Sequence, residues 1–149
     1  MILRIHAIAG GLGLATIATF WTSTVLVELF GDAAAIAAVK TAILWGMIVL
    51  IPSMVTVGAT GARLGTGRTD PDILAKKRRM PIIAANGLLV LVPSAVVLAI
   101  KANAGVFDSW FYGVQLLELA AGATNIVLMS VNLRMGLLLT GRIGAPVAD

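Results

Sequence analysis

The chain has 149 residues, with eleven Lys and Arg against seven Asp and Glu, one His and no Cys; 59% of its residues are apolar and 12% charged. A mean hydropathy of +1.00 leaves too little polar surface for a soluble domain. The absence of cysteine excludes disulfides, iron–sulfur clusters and thiolate zinc sites, and one histidine excludes a His-rich metal cluster within one protomer.

Four apolar runs exceed the ~18–20 residues that a bilayer-spanning helix needs. They predict an all-α polytopic integral membrane protein: a single four-helix transmembrane bundle over residues 1–149. The first helix is predicted over about residues 3–30. Arg4 precedes an apolar run too long for a signal-peptide core, so the segment reads as a retained transmembrane helix. Its threonines and Ser23 can bond to local carbonyls, and Glu28 stands near its far end. Gly31-Asp32 is a short turn whose acid can cap the next helix, which makes helices one and two antiparallel neighbours.

The second helix is predicted over 34–63, with Lys40 near its start, Pro52 in its middle and Gly58, Gly61 and Gly65 towards its end. Residues 64–80 read as a polar loop. They contain Asp70-Pro71-Asp72, a turn signal, and the run Lys76, Lys77, Arg78, Arg79. The third helix is predicted over 81–103, with Pro81 in its first turn, and the fourth over 109–140. Ten residues from Gly46 echo ten from Gly87, both with Pro-Ser at the same place (Pro52-Ser53, Pro93-Ser94). The two segments run in opposite directions, so the echo predicts prolines meeting at mid-membrane, as in inverted repeats of transporters; the alternative is chance plus a packing kink.

Nine of eleven basic residues fall on one side: Arg4, Arg63, Arg68, Lys76, Lys77, Arg78, Arg79, Arg134 and Arg142. Excess Lys and Arg mark the cytoplasmic face, so both termini and the 64–80 loop are expected there, in a bacterial inner membrane and against anionic headgroups. The pI of about 10.1 follows from this asymmetry. Without aromatic interleaving it does not indicate nucleic-acid binding.

On the fourth helix, Gln115, Glu118, Gly122, Asn125, Met129, Asn132 and Gly136 recur at steps of three and four and share one face. Lipid offers polar groups no partners, so this stripe must face protein or a wet cavity. Two constellations follow. Near the non-cytoplasmic side, Glu118, Lys40 and Lys101 can meet as buried ionisable groups. They would serve as a structural ion pair, a substrate contact or a proton relay.

Near the cytoplasmic side, His6 is followed on its own face by Gly10 and Gly13, with Asn86, Asn132 and Met135 expected at similar depth and Arg4, Arg79 and Arg134 around them. Imidazole and thioether are axial haem ligands, flanking glycines admit a flat ring, and arginines pair with propionates. In this respect the end of helix one loosely resembles membrane b-type cytochromes built as four-helix bundles. The resemblance covers His6 and its glycines. It implies haem b with His6 as iron ligand, in a redox or electron-transfer protein. Those cytochromes use pairs of histidines, so here Met135, Met80, Met54, an open position or a second copy's histidine completes the site. Competing readings make His6 an interfacial histidine and Gly10 and Gly13 a helix contact. The function classes that remain are a haem protein, a small ion-coupled transporter using Glu118 and Lys40, and an accessory subunit of a larger membrane complex; a homo-oligomer is expected for the transporter.

Overall fold

A computed structural model describes residues 1–141. It contains four helices long and apolar enough to cross a membrane: α1 (Ile2–Phe30), α2 (Ala33–Leu64), α3 (Pro71–Asn103) and α4 (Ser109–Leu139). No strand occurs among the described residues. The helices alternate in direction, so Arg4, Arg63, Arg68, the Lys76 run and Arg134 gather at one end, here termed the basic end. Arg142 lies outside the described residues.

Two acids fix the turns at the other end. Asp32 accepts from the Ala35 amide at 2.8 Å and Asp108 from the Phe111 amide at 2.8 Å. Each satisfies an amide that the first helical turn leaves without a partner.

The loop between α2 and α3 is shorter than expected. It occupies residues 65–70, and α3 begins at Pro71 rather than Pro81. Pro71 has its φ preset for a first turn, where no amide is needed, and Asp72 in that turn complements the helix dipole. Lys and Arg are good helix formers, so the basic run coils as helix. Pro81 becomes an interior proline, forfeiting a bond to the Lys77 carbonyl.

Within α3, Pro71–Asn86 is α-helical, Gly87–Leu91 is a π turn and Val92–Asn103 is again α-helical. Pro93 has no N–H and its ring opposes the carbonyl four residues back. The chain widens just before it, with the Val92 amide donating to the Gly87 carbonyl. The extra residue rotates the following segment by about 100°. Ser94, Ala95, Leu98, Ala99 and Ala102 then face inward. Pro52, by contrast, sits in uninterrupted α-helix. Both prolines are exposed while Ser53 and Ser94 are buried. The echoed prolines therefore do not meet inside the bundle: in each Pro-Ser pair the serine, not the proline, turns inward.

The pair α1–α2 is closely packed: the Phe20 ring lies on Gly46 and the Met54 methyl on Gly13. Trp21 ties α1 to α4, its Nε1 donating to the Leu119 carbonyl at 3.0 Å and its ring resting on Gly122. Apolar cores form around Ile36, Leu98, Ala102 and Phe111 and around Ile17, Ile83 and Met129. Pro71–Asn86 leans on α4 and touches α2 sparsely, whereas Val92–Asn103 packs against both α2 and α4. That asymmetry leaves a cavity of about 980 Å³ between the helix pairs.

Candidate functional site

The stripe on α4 faces inward. Gln115, Gly122, Asn125, Met129 and Asn132 are buried, and Glu118 keeps 12% side-chain exposure. This is the side of the bundle on which the cavity lies: Glu118, Gly122, Asn125, Met129, Asn132 and Gly136 all line it.

At the end away from the basic residues, Lys40 is fully buried. Its Nζ donates to Glu118 Oε2 at 2.6 Å and to Thr24 Oγ1 at 3.4 Å, and Gln115 Nε2 reaches the same carboxylate oxygen at 3.3 Å. One ammonium thus joins α1, α2 and α4. Glu28 lies one turn beyond Thr24 on the same face of α1. Its Oε1 is buried without a partner, as is Gln115 Oε1. Glu28 and Gln115 thus leave acceptor oxygens to spare beside the Lys40–Glu118 pair. Such a cluster can take up a proton or a small cation.

Lys101 does not join this cluster. It donates to Asp108 at 2.9 Å, partly exposed at the turn into α4. The capping acid lies within its reach, and an ammonium close to the helix end finds that pair before a buried carboxylate. The Phe111 amide and the Lys101 ammonium together hold the Asp108 carboxyl below its ordinary range, the Lys101 hydrogen bond contributing most.

At the basic end, His6 Nδ1 lies 2.8 Å from Thr60 Oγ1, whose own proton goes to the Thr56 carbonyl. Thr60 therefore accepts, and Nδ1 carries the imidazole proton. The ring rests on Gly61, where a Cβ would stand 3.2 Å from Cε1. Arg79 donates to Asn132 Oδ1 at 3.4 Å and to Met135 Sδ at 2.9 Å. Asn86 lies deeper than expected. Its Nδ2 donates to the Ala121 carbonyl at 2.8 Å and to Asn125 Oδ1 at 2.9 Å, closer in depth to the Trp21 contact than to His6. Asn125 in turn donates to the Ile83 carbonyl at 3.2 Å. These bonds zip α3 to α4 beside the π turn.

Haem b was tested against this arrangement. Gly10 and Gly13 face Val57 and Met54 of α2, so their missing side chains serve a helix contact. Met135 has its sulfur committed to Arg79, and Arg4 and Arg134 are exposed rather than set along the cavity. The His6 constellation does not fit a six-coordinate porphyrin site. Among the described residues no group of three or more His, Cys, Asp and Glu is placed to hold a metal ion.

No protein-family model matches the chain, and no curated protein or solved structure matches it significantly. Chemistry has to be read from the residues themselves. Sequence reasoning assigned Glu118 and Lys40 to one another and missed Glu28 and Thr24. The signal for both was available: they are four residues apart on α1, on the face that a short turn presents to Lys40.

Proposed function

We propose that the protein is a small ion-coupled membrane carrier, with the cavity between its helix pairs as ligand site and the Glu28–Lys40–Glu118 cluster as ion site. The reading is carried by one observation: Glu118 lines the cavity and is also paired at 2.6 Å with a fully buried lysine. A carboxylate facing both a ligand space and a buried ammonium senses the occupancy of one and the protonation of the other. The carboxylates, with an acceptor oxygen left unengaged on Glu28, make a proton the natural coupling ion. The expected setting is a bacterial inner membrane with the basic end cytoplasmic and in contact with anionic headgroups, the protein acting as a homo-oligomer or within a larger complex.

Infrared difference spectroscopy on proteoliposomes cycled between acidic and alkaline buffer tests the ion site. The wild type should show a carboxylic-acid carbonyl band that Glu28→Gln or Glu118→Gln removes. Vesicles enclosing a pH dye should report proton movement on ligand addition, lost in the same variants. A cluster that shows no titrating carboxyl and whose variants alter thermal stability alone would be a structural ion pair, and the carrier reading would fall.

A further inference from the structure

Three basic residues line the cavity at the basic end, Arg68, Lys76 and Lys77, and one of them is left over. Arg68 pairs with Asp70 at 3.1 Å, Lys77 donates to the Arg68 carbonyl at 3.1 Å, and Arg79 is held by Asn132 and Met135. Lys76 is half-buried, lines the cavity and has no hydrogen-bond or ion-pair partner among the described residues. It does not turn out towards the membrane edge, as a long basic side chain can. Its Nζ points inward to α4, where a Cβ on Gly136 would stand 3.4 Å away. An ammonium withdrawn from water without an anion costs several kcal/mol, so this position calls for a negative charge from outside the fold.

The cavity that Lys76 overlooks is long and apolar. It extends along α1 from His6 to Thr24, a rise of ~27 Å at 1.5 Å per residue. Its walls include Ile17, Phe20, Leu50, Met54, Ile83 and Met129. Polar lining is concentrated towards the ends, and Asn125 in the middle is already bonded to Asn86 and Ile83. A polar solute filling this space would bury unpaired groups against hydrocarbon. An alkyl chain would not. Pro71–Asn86 touches α2 only sparsely, which leaves a crevice through which a chain can enter from the side.

We propose that the cavity binds a long-chain carboxylate, a fatty-acid-like amphiphile with its head on Lys76 and its tail running towards Trp21. The single negative charge of a carboxylate matches the one cavity-lining ammonium without a hydrogen bond among the described residues, whereas Lys77 and Arg68 each already donate within the loop. This assignment rests on the cavity being the carrier's ligand site and names its substrate class.

The test uses the full chain in nanodiscs of zwitterionic lipid, because detergents are themselves amphiphiles. Native mass spectrometry with palmitate should show one bound molecule per chain. Lys76→Gln should weaken binding about tenfold and Lys76→Arg restore most of it, a tenfold change being the scale of one charge-assisted contact. Octanoate should bind far more weakly, since each buried methylene contributes about 0.8 kcal/mol, or roughly fourfold. Circular dichroism melts of each variant separate lost binding from lost fold. Binding unaffected by Lys76→Gln in a folded variant, preference for lysophosphatidate over palmitate, or no palmitate bound would each overturn the assignment. If palmitate fails while the infrared carboxyl band still titrates, the ion site stands and only the substrate class is wrong.

Discussion

At the scale of single residues, Lys40 decides most. Removing one partner of a buried pair strands the other, at about 3–5 kcal/mol. Lys40→Met should therefore lower the melting temperature strongly. The double variant Lys40→Met/Glu118→Gln should be less destabilised than the sum of its parts. Lys101→Met should show no coupling to Glu118→Gln, because Lys101 is bonded to Asp108; a coupling as large as that of Lys40 would refute the arrangement. Asp108 supplies a pH dependence of known sign. Its folded-state carboxyl is held low by Lys101 first and the Phe111 amide second. Its contribution is thus complete above the ordinary Asp value of about 4 and is lost as pH falls through the lower folded value. Thermal melts between neutral and strongly acidic buffer should lose this acid-side component in Asp108→Asn. For His6, the committed Met135 and the covered glycines predict a purified protein without a Soret band even after haem is supplied. A Soret band abolished by His6→Ala would restore the redox reading.

At the scale of elements, the π turn in α3 is set by local chemistry and kept by packing. Pro93 opposes an ordinary turn, yet the register it produces is the one that buries Ser94, Leu98 and Ala102. Pro93→Ala alone should be nearly neutral, since closing the turn would rotate those residues out by about 100°. Deleting Leu89 together with Pro93→Ala removes both the extra residue and its cause. That variant should melt at or above the wild type; unfolding instead would show that the widened turn itself is required. The Trp21 contact depends on a missing side chain. Gly122→Leu should cost about 1–3 kcal/mol by overpacking, measured as a lowered midpoint, because a Cβ would already stand 3.1 Å from the indole.

At the scale of the whole molecule, two helix pairs are joined firmly at the end of the Lys40 cluster and apart at the basic end. α1 and α2 pack closely, α3 and α4 are zipped by asparagines, and at the basic end Pro71–Asn86 touches α2 only sparsely. A carrier needs such halves, one part able to move against another around a central site. The proposed orientation rests on nine basic residues against two. A cysteine at the exposed Thr69, in the loop 65–70, should resist an impermeant thiol reagent in intact cells and react after lysis. Labelling without lysis would invert the protein and place the Lys76 entrance on the outer face.

Fold class and the inward stripe of α4 were legible in the sequence, because hydrophobic period and run length are local properties that a bilayer enforces on each helix separately. So was the pairing of Lys40 with Glu118, since two opposite charges inside one membrane have few other ways to be satisfied. Three things were decided only by tertiary structure. Whether Lys101 or Glu28 joined that pair depended on which helix faces met after the turns closed, and a capping acid at Asp108 captured Lys101 first. Gly10 and Gly13 read as a helix contact or as a porphyrin bed, and only the packed structure sets Met54 and Val57 of α2 against them. The start of α3 at Pro71 rested on a proline that suits a helix start as well as a loop, and only its neighbours' packing distinguishes the two. The cavity belongs wholly to this level: it is the space left where four helices fail to close, and no residue by itself encodes it.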